Sequence, residues 1–206
     1  MIAIAKTRGM QCIDATEVTN AHYAAFLASA PTVGSETGVC ANKVSFVPAF
    51  GWPAIGREAQ PVVNVDWCDA RAYCAWAGKT LCPGDRASPD AMQSAWTAAC
   101  SRAGERTYPY GDAYAKGACN GNDLGLQKAE NAGSLATCEG GYAGLFDMSG
   151  NVWEWEDACD DGGPVTGCLV RGGSFRNDPL NVACGAAFLV ARDAVFDDFG
   201  FRCCAP

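Results

Sequence analysis

The chain has 206 residues, 49% of them apolar, and a formal net charge of −8. That length fits one domain, residues 1–206; no apolar run approaches the ~20 residues of a membrane span; and 15 basic against 23 acidic residues, with no basic stripe, exclude a nucleic-acid partner. Thirteen cysteines with a single histidine, His22, and no C-x-x-C spacing exclude zinc and point to disulfides in an oxidising, extracytoplasmic compartment. Most of the acids read as solubility, but Asp147 and Glu154 fall where carboxylates gather around a cation. The start, Met1-Ile2-Ala3-Ile4-Ala5-Lys6, lacks the charged head and apolar core of a signal peptide. A leader or upstream region is therefore expected to precede this sequence.

Thr19 or Asn20 can cap a first helix over Ala21–Ala28, with Tyr23, Phe26 and Leu27 on its apolar face and His22 at the surface. Residues 31–60, punctuated by Pro and Gly, read as loop. Pro61–Val65 is strand-like and leads to a second helix beginning near Asp66. Trp67, Ala70, Tyr73, Cys74 and Ala77 follow its 3.6-residue period, and Gly78 ends it. A third helix is expected over Asp90–Ala103, with Ser88-Pro89 at its start and Met92, Trp96, Ala99 and Cys100 inward. From Thr107 the periodicity fades into glycine-rich turns that need crosslinks or ions to pack. Short strands return around Gly150–Trp155, Leu169–Phe175, Val182–Val190 and Phe201–Cys203. The sum is an α+β fold, a few helices against an irregular, mainly antiparallel sheet.

Six phrases stand in a distinctive order: ATEVTNAHYAAFL at 15–27, PVVNVDWCDARAYCAWAGKTLC at 61–82, YPYGD at 108–112, GLFDMSGNVWEW at 144–155, RGGSF at 171–175 and GFRC at 200–203. In that order they resemble the formylglycine-generating enzyme (sulfatase-modifying factor) family, whose fold is C-type-lectin-like. The resemblance implies disulfides Cys74–Cys203 and Cys100–Cys184, joining helices to the C-terminal strands. Proximity alone suggests local bonds Cys119–Cys138 and Cys159–Cys168. Cys12, Cys40, Cys68, Cys82 and Cys204 stay unassigned, and the odd total leaves one thiol or an intermolecular bond.

Calcium takes six to eight oxygens from carboxylates and turn carbonyls. Asp147 and Glu154 supply carboxylates across a glycine turn, and the Gly150 and Val152 carbonyls could join them. The spacing is similar to a family calcium site; the alternative is that the two acids cap backbone amides. A second family site begins at the position of Asn120. The family's oxidase holds copper(I) on two thiolates after its Gly-Gly-Ser turn, a choice that suits a soft ion. Counting on from Ser174 gives Asn177 and Val182, or Pro179 by the shorter count, so no thiol pair falls there and no copper is expected. No other constellation supplies a nucleophile with its base or a phosphate loop.

The expected function is therefore non-catalytic recognition of a protein or small ligand, without membrane insertion, on the segment between Ser174 and Gly200. Its candidate contacts are Trp153, Ser174, Arg176, Asn177, Asp178, Phe188, Val190, Arg192 and Phe196. The resemblance extends to the variable receptor proteins diversified by retroelements. Two rivals remain: an oxidase drawing on Cys184 or Cys204, and a structural module of a larger surface protein.

Overall fold

The first element is one that periodicity did not announce. Ile2–Lys6 (β1) and Gly9–Ile13 (β2) form an antiparallel hairpin, with Ile2 opposite Ile13. Ile4 and Ile13 fall on one face and are fully buried. A computed structural model describes residues 1–6, 9–33, 38–85, 93–160 and 167–206. Among these, three α-helices and eight strands build two four-stranded sheets.

Helix α1, Asn20–Ala28, starts because Thr19 Oγ1 accepts the His22 N–H at 3.3 Å, while His22 Nδ1 accepts the Thr19 N–H in return. Helix α2, Trp67–Trp76, uses Asp66 and Asp69 reciprocally in the same way. Lys43 Nζ reaches both carboxylates, at 2.5 and 2.7 Å. Helix α3 is only Ala95–Cys100, capped by Ser94. The segment expected to begin it, Ser88 to Met92, lies outside the described residues. Pro61–Val65 forms no strand; it makes a single bridge, Pro61 to Thr19.

The first sheet runs β1-β2-β8-β3, where β3 is Thr80–Leu81 and β8 is Cys203–Ala205. The second runs β6-β5-β4-β7, with β4 at Trp153–Cys159, β5 at Gly167–Arg171, β6 at Ala187–Ala191 and β7 at Phe199–Phe201. Every pairing is antiparallel except β4 with β7. The strand expected over Phe201–Cys203 is thus split: the chain leaves one sheet at Phe201 and enters the other at Cys203, with fully buried Arg202 at the crossing.

Two cores flank that crossing. Tyr23, Phe26, Tyr73 and Phe201 make edge-to-face and stacked contacts at 5.3–6.3 Å in the larger one. Ile4, Ile13, Trp96, Leu145 and Met148 fill the smaller. Six disulfides crosslink the described residues: Cys40–Cys68, Cys74–Cys203, Cys82–Cys204, Cys100–Cys184, Cys119–Cys138 and Cys159–Cys168. Cys12 alone among the described cysteines is unbonded. So many bonds suit an oxidising environment.

Burial, then the neighbouring Asp66 charge, push Asp69 up to about 7 against the pull of Lys43. A carboxyl raised on folding contributes stability that is full below its unfolded value and is lost as pH rises through the folded one. The Asp69 contribution to stability should therefore decline from acid toward pH 7. Asp69→Asn, which keeps the cap acceptor, should flatten that decline in denaturant melts taken across the range.

Candidate functional site

The glycine turn before β4 is shaped by steric necessity. Gly150 has φ +73°, and a Cβ there would lie 2.4 Å from the Asn120 carbonyl oxygen. That approach lets the Asn151 N–H donate to Asn120 O at 2.8 Å. The Asn151 side chain accepts from Asn120 Nδ2 at 3.1 Å and the Glu130 N–H at 2.9 Å, and donates to Glu17 Oε1 at 2.7 Å. The turn is thereby tied to two distant loops through one amide.

Glu154, one strand position from each of Trp153 and Trp155, points into the crossing. Its Oε2 accepts from Arg202 Nε at 2.7 Å and from Trp96 Nε1 at 2.8 Å, and its Oε1 accepts from Arg202 Nη2 at 2.7 Å. Arg202 also donates to the Asp14 and Phe146 carbonyls. Burial alone would lower the Arg202 pKa, but Glu154's charge and bonds, with Glu17 and Asp147 nearby, raise it above its ordinary value. Glu17 is held well above the usual carboxylate range by burial and by the Asp147 charge, and burial likewise raises Asp147. Three buried acids thus face one guanidinium.

The acids expected to hold calcium are engaged by protein donors. Both Glu154 oxygens are taken by protein donors, and Asp147 Oδ2 accepts the Gly133 N–H at 2.5 Å. A dication beside Glu154 would also face the Arg202 charge. Asn120 uses its carbonyl and Nδ2 in the turn; its Oδ1 is buried without a partner. No group of three or more His, Cys, Asp or Glu that could hold a metal occurs among the described residues. Of the expected calcium ligands Asp147, Gly150, Val152, Glu154 and Asn120, the two carboxylates thus lie in a buried ion network whose cation is Arg202.

The positions that the resemblance gives to copper(I), Asn177, Val182 or Pro179, carry no thiol. Ser174 is fully buried, its Oγ 2.8 Å from both Asn177 Oδ1 and Asp198 Oδ2. Asn177 also accepts the Ser174 N–H at 2.9 Å, so this position braces the turn. Val182 is buried, and the Pro179 carbonyl accepts from the Tyr108 hydroxyl. Cys184 and Cys204, the cysteines an oxidase reading would draw on, are bonded to Cys100 and Cys82.

Outward from this braced turn lies a groove of about 420 Å³, a volume typical of ligand sites. One wall is Phe175, Arg176 and Asp197; the other is the 48–64 loop, with Phe50, Trp52, Arg57 and Asn64. Arg176 stacks on the Phe175 ring at 4.4 Å and pairs with Asp197 through two 2.9 Å bonds. Asn64 is fixed by its N–H to the Phe196 carbonyl, which ties the two walls together.

Of the residues expected at a ligand surface, Arg176, Asp178, Phe188 and Phe196 are exposed, while Asn177, Val190 and Arg192 are half-buried. Trp153 and Ser174 are buried and belong to the scaffold. Only Arg176 lines the groove; Phe188 and Val190 lie on β6, and Arg192 stands over Trp67 at 5.5 Å. The 48–64 wall went unread because a Pro- and Gly-broken loop carries no period. Its exposed Phe50, beside Trp52, was the available signal.

A sequence profile described as the sulfatase-modifying factor enzyme 1-like domain matches residues 8–205. The formylglycine-generating enzyme of Streptomyces coelicolor is 33% identical over 180 residues, covering 72% of this chain and 53% of that protein. The inactive C-alpha-formylglycine-generating enzyme 2 of Bos taurus is 31% identical over 156 residues, covering 69% and 49%. The chain thus spans about half the length of these curated relatives. The solved structure of Treponema denticola variable protein 1 superposes with a TM-score of 0.67 at 18% identity, covering 99% of this chain and 93% of that one.

Proposed function

Because this chain belongs to the sulfatase-modifying factor enzyme 1-like family, and the thiol-bearing segment of the family's oxidase is here a braced turn, we propose that it is an extracytoplasmic recognition domain without oxidase activity. The groove carries the reading: aromatic and guanidinium groups converge on a pocket whose 48–64 wall lies within the Cys40–Cys68 crosslink. Exposed aromatics beside arginine are the groups that dominate binding energy at recognition surfaces. The likeness to an inactive relative and to a variable protein is compatible with this reading.

Two measurements test it. Copper(I) titration should show no tight stoichiometric site; such a site, with conversion of a cysteine peptide, would restore the oxidase reading. Screening the parent against arrays of peptides and glycans should yield a ligand whose affinity falls at least about tenfold, ~1.4 kcal/mol, in Phe50→Ala and in Arg57→Ala. Both side chains are exposed, so melting temperatures should hold. A ligand bound equally well by both variants would move the site away from the groove.

A further inference from the structure

Independently of the groove, the second sheet ends on an open strand. Among the described residues, strand β6 pairs with β5 on one side only and is the last strand in the order β6-β5-β4-β7. Its sequence is Ala187-Phe188-Leu189-Val190-Ala191, with Phe188 48% and Leu189 43% exposed. Soluble proteins blunt such edges with lysine, proline, a bulge or a cover, because unpaired N–H and C=O groups accept another strand. Strand β6 has none of these among the described residues. Its register with β5 runs unbroken from Gly167↔Ala191 to Arg171↔Ala187.

We infer that β6 is a pairing edge for a second copy of this chain, joined antiparallel about a twofold axis at Leu189. An unpaired backbone ladder is matched only by another extended backbone, and this strand matches itself. About Leu189, Ala187 meets Ala191 of the other copy, Phe188 meets its Val190, and Leu189 meets its own counterpart. Aromatic against β-branched is a favourable cross-strand pair, the alanines let the backbones approach, and the arrangement is isologous. Charge points the same way. The chain carries −8, so copies repel over most of their surface, yet no charged residue lies between Asp178 and Arg192. Edge pairing therefore brings the copies together where no like charges face each other, and Phe188, held edge-to-face on Trp153 at 5.1 Å, is already ordered.

Sedimentation in a Cys12→Ser background, which excludes a disulfide-linked dimer through the unbonded thiol, should show dimers forming between about 1 μM and 1 mM. Association should tighten as salt is raised to about 0.5 M, because screening weakens the repulsion of the copies. Leu189→Lys and Leu189→Asp each place like charges across the twofold and should each weaken association at least about tenfold. An equimolar mixture of the two variants should restore it, since opposite charges then meet, an outcome that loss of folding cannot produce. A parent that stays monomeric throughout, or single variants that associate as tightly as the parent, would overturn the inference.

Discussion

Glu154→Gln should destabilise the protein by about 3–5 kcal/mol, equally in calcium and in chelator. The reason is the partner left behind. Arg202 is fully buried, and Glu154 meets it with two 2.7 Å bonds. The substituted amide can accept from only one of those donors, so a buried guanidinium loses its charge balance. If calcium instead sat on Glu154, the parent would be stabilised by mass action, by ~2.7 kcal/mol at a hundredfold excess over the dissociation constant. Glu154→Gln would then abolish that gain and leave the calcium-free melt almost unchanged. Denaturant melts of both proteins with and without chelator separate the outcomes. A parent whose midpoint rises with calcium would return Glu154 and Asp147 to a metal site.

The disulfides at the sheet crossing should prove non-additive. Cys74–Cys203 and Cys82–Cys204 span separations of 129 and 122 residues, but they end on adjacent cysteines. With either bond intact, the other closes a ring of only about ten residues, because the partners are 82 − 74 = 8 and 204 − 203 = 1 apart. Chain entropy then gives about 3 kcal/mol for removing one pair through paired alanine substitutions. Removing both also releases a loop of about 45 residues, since Cys100–Cys184 still bridges the rest ((100 − 74) + (203 − 184) = 45), for about 6–7 kcal/mol in total, more than the sum of the single losses. That is comparable to the whole stability of an ordinary domain, so the quadruple variant should not fold at 37 °C. Simple additivity of the single losses would show that this loop stays closed by other means in the unfolded chain.

Local signals determined local structure. Thr19 and Asp66 announce helix starts because capping needs only a side chain within reach of its own next turn. The periods of Tyr23–Phe26 and Trp67–Cys74 announce buried faces for the same reason. The third helix misled because Asp90–Ala103 has helical spacing, while the described helix begins only at the Ser94 cap. The hairpin of β1 and β2 gives no periodic signal, since five-residue strands hold too few repeats to register.

The site divides along the same line. Glycines at 150 and 173, the missing thiols at 177 and 182, and the exposed aromatics near the C-terminus can all be read from residue order. What the acids do cannot. Asp147 and Glu154 sit at a spacing that suits a cation, and no local rule says which cation comes. Only the fold brings Arg202, 48 residues on from Glu154, to the crossing between the sheets. The groove likewise exists only because the 48–64 loop folds against Phe175 and Arg176. Sequence alone determined the scaffold's turns, caps and helical faces, whose energies act over a few residues. Which charge neutralises which, and which loops face each other across a cavity, was decided by tertiary structure, because those energies exist only once distant segments share one space.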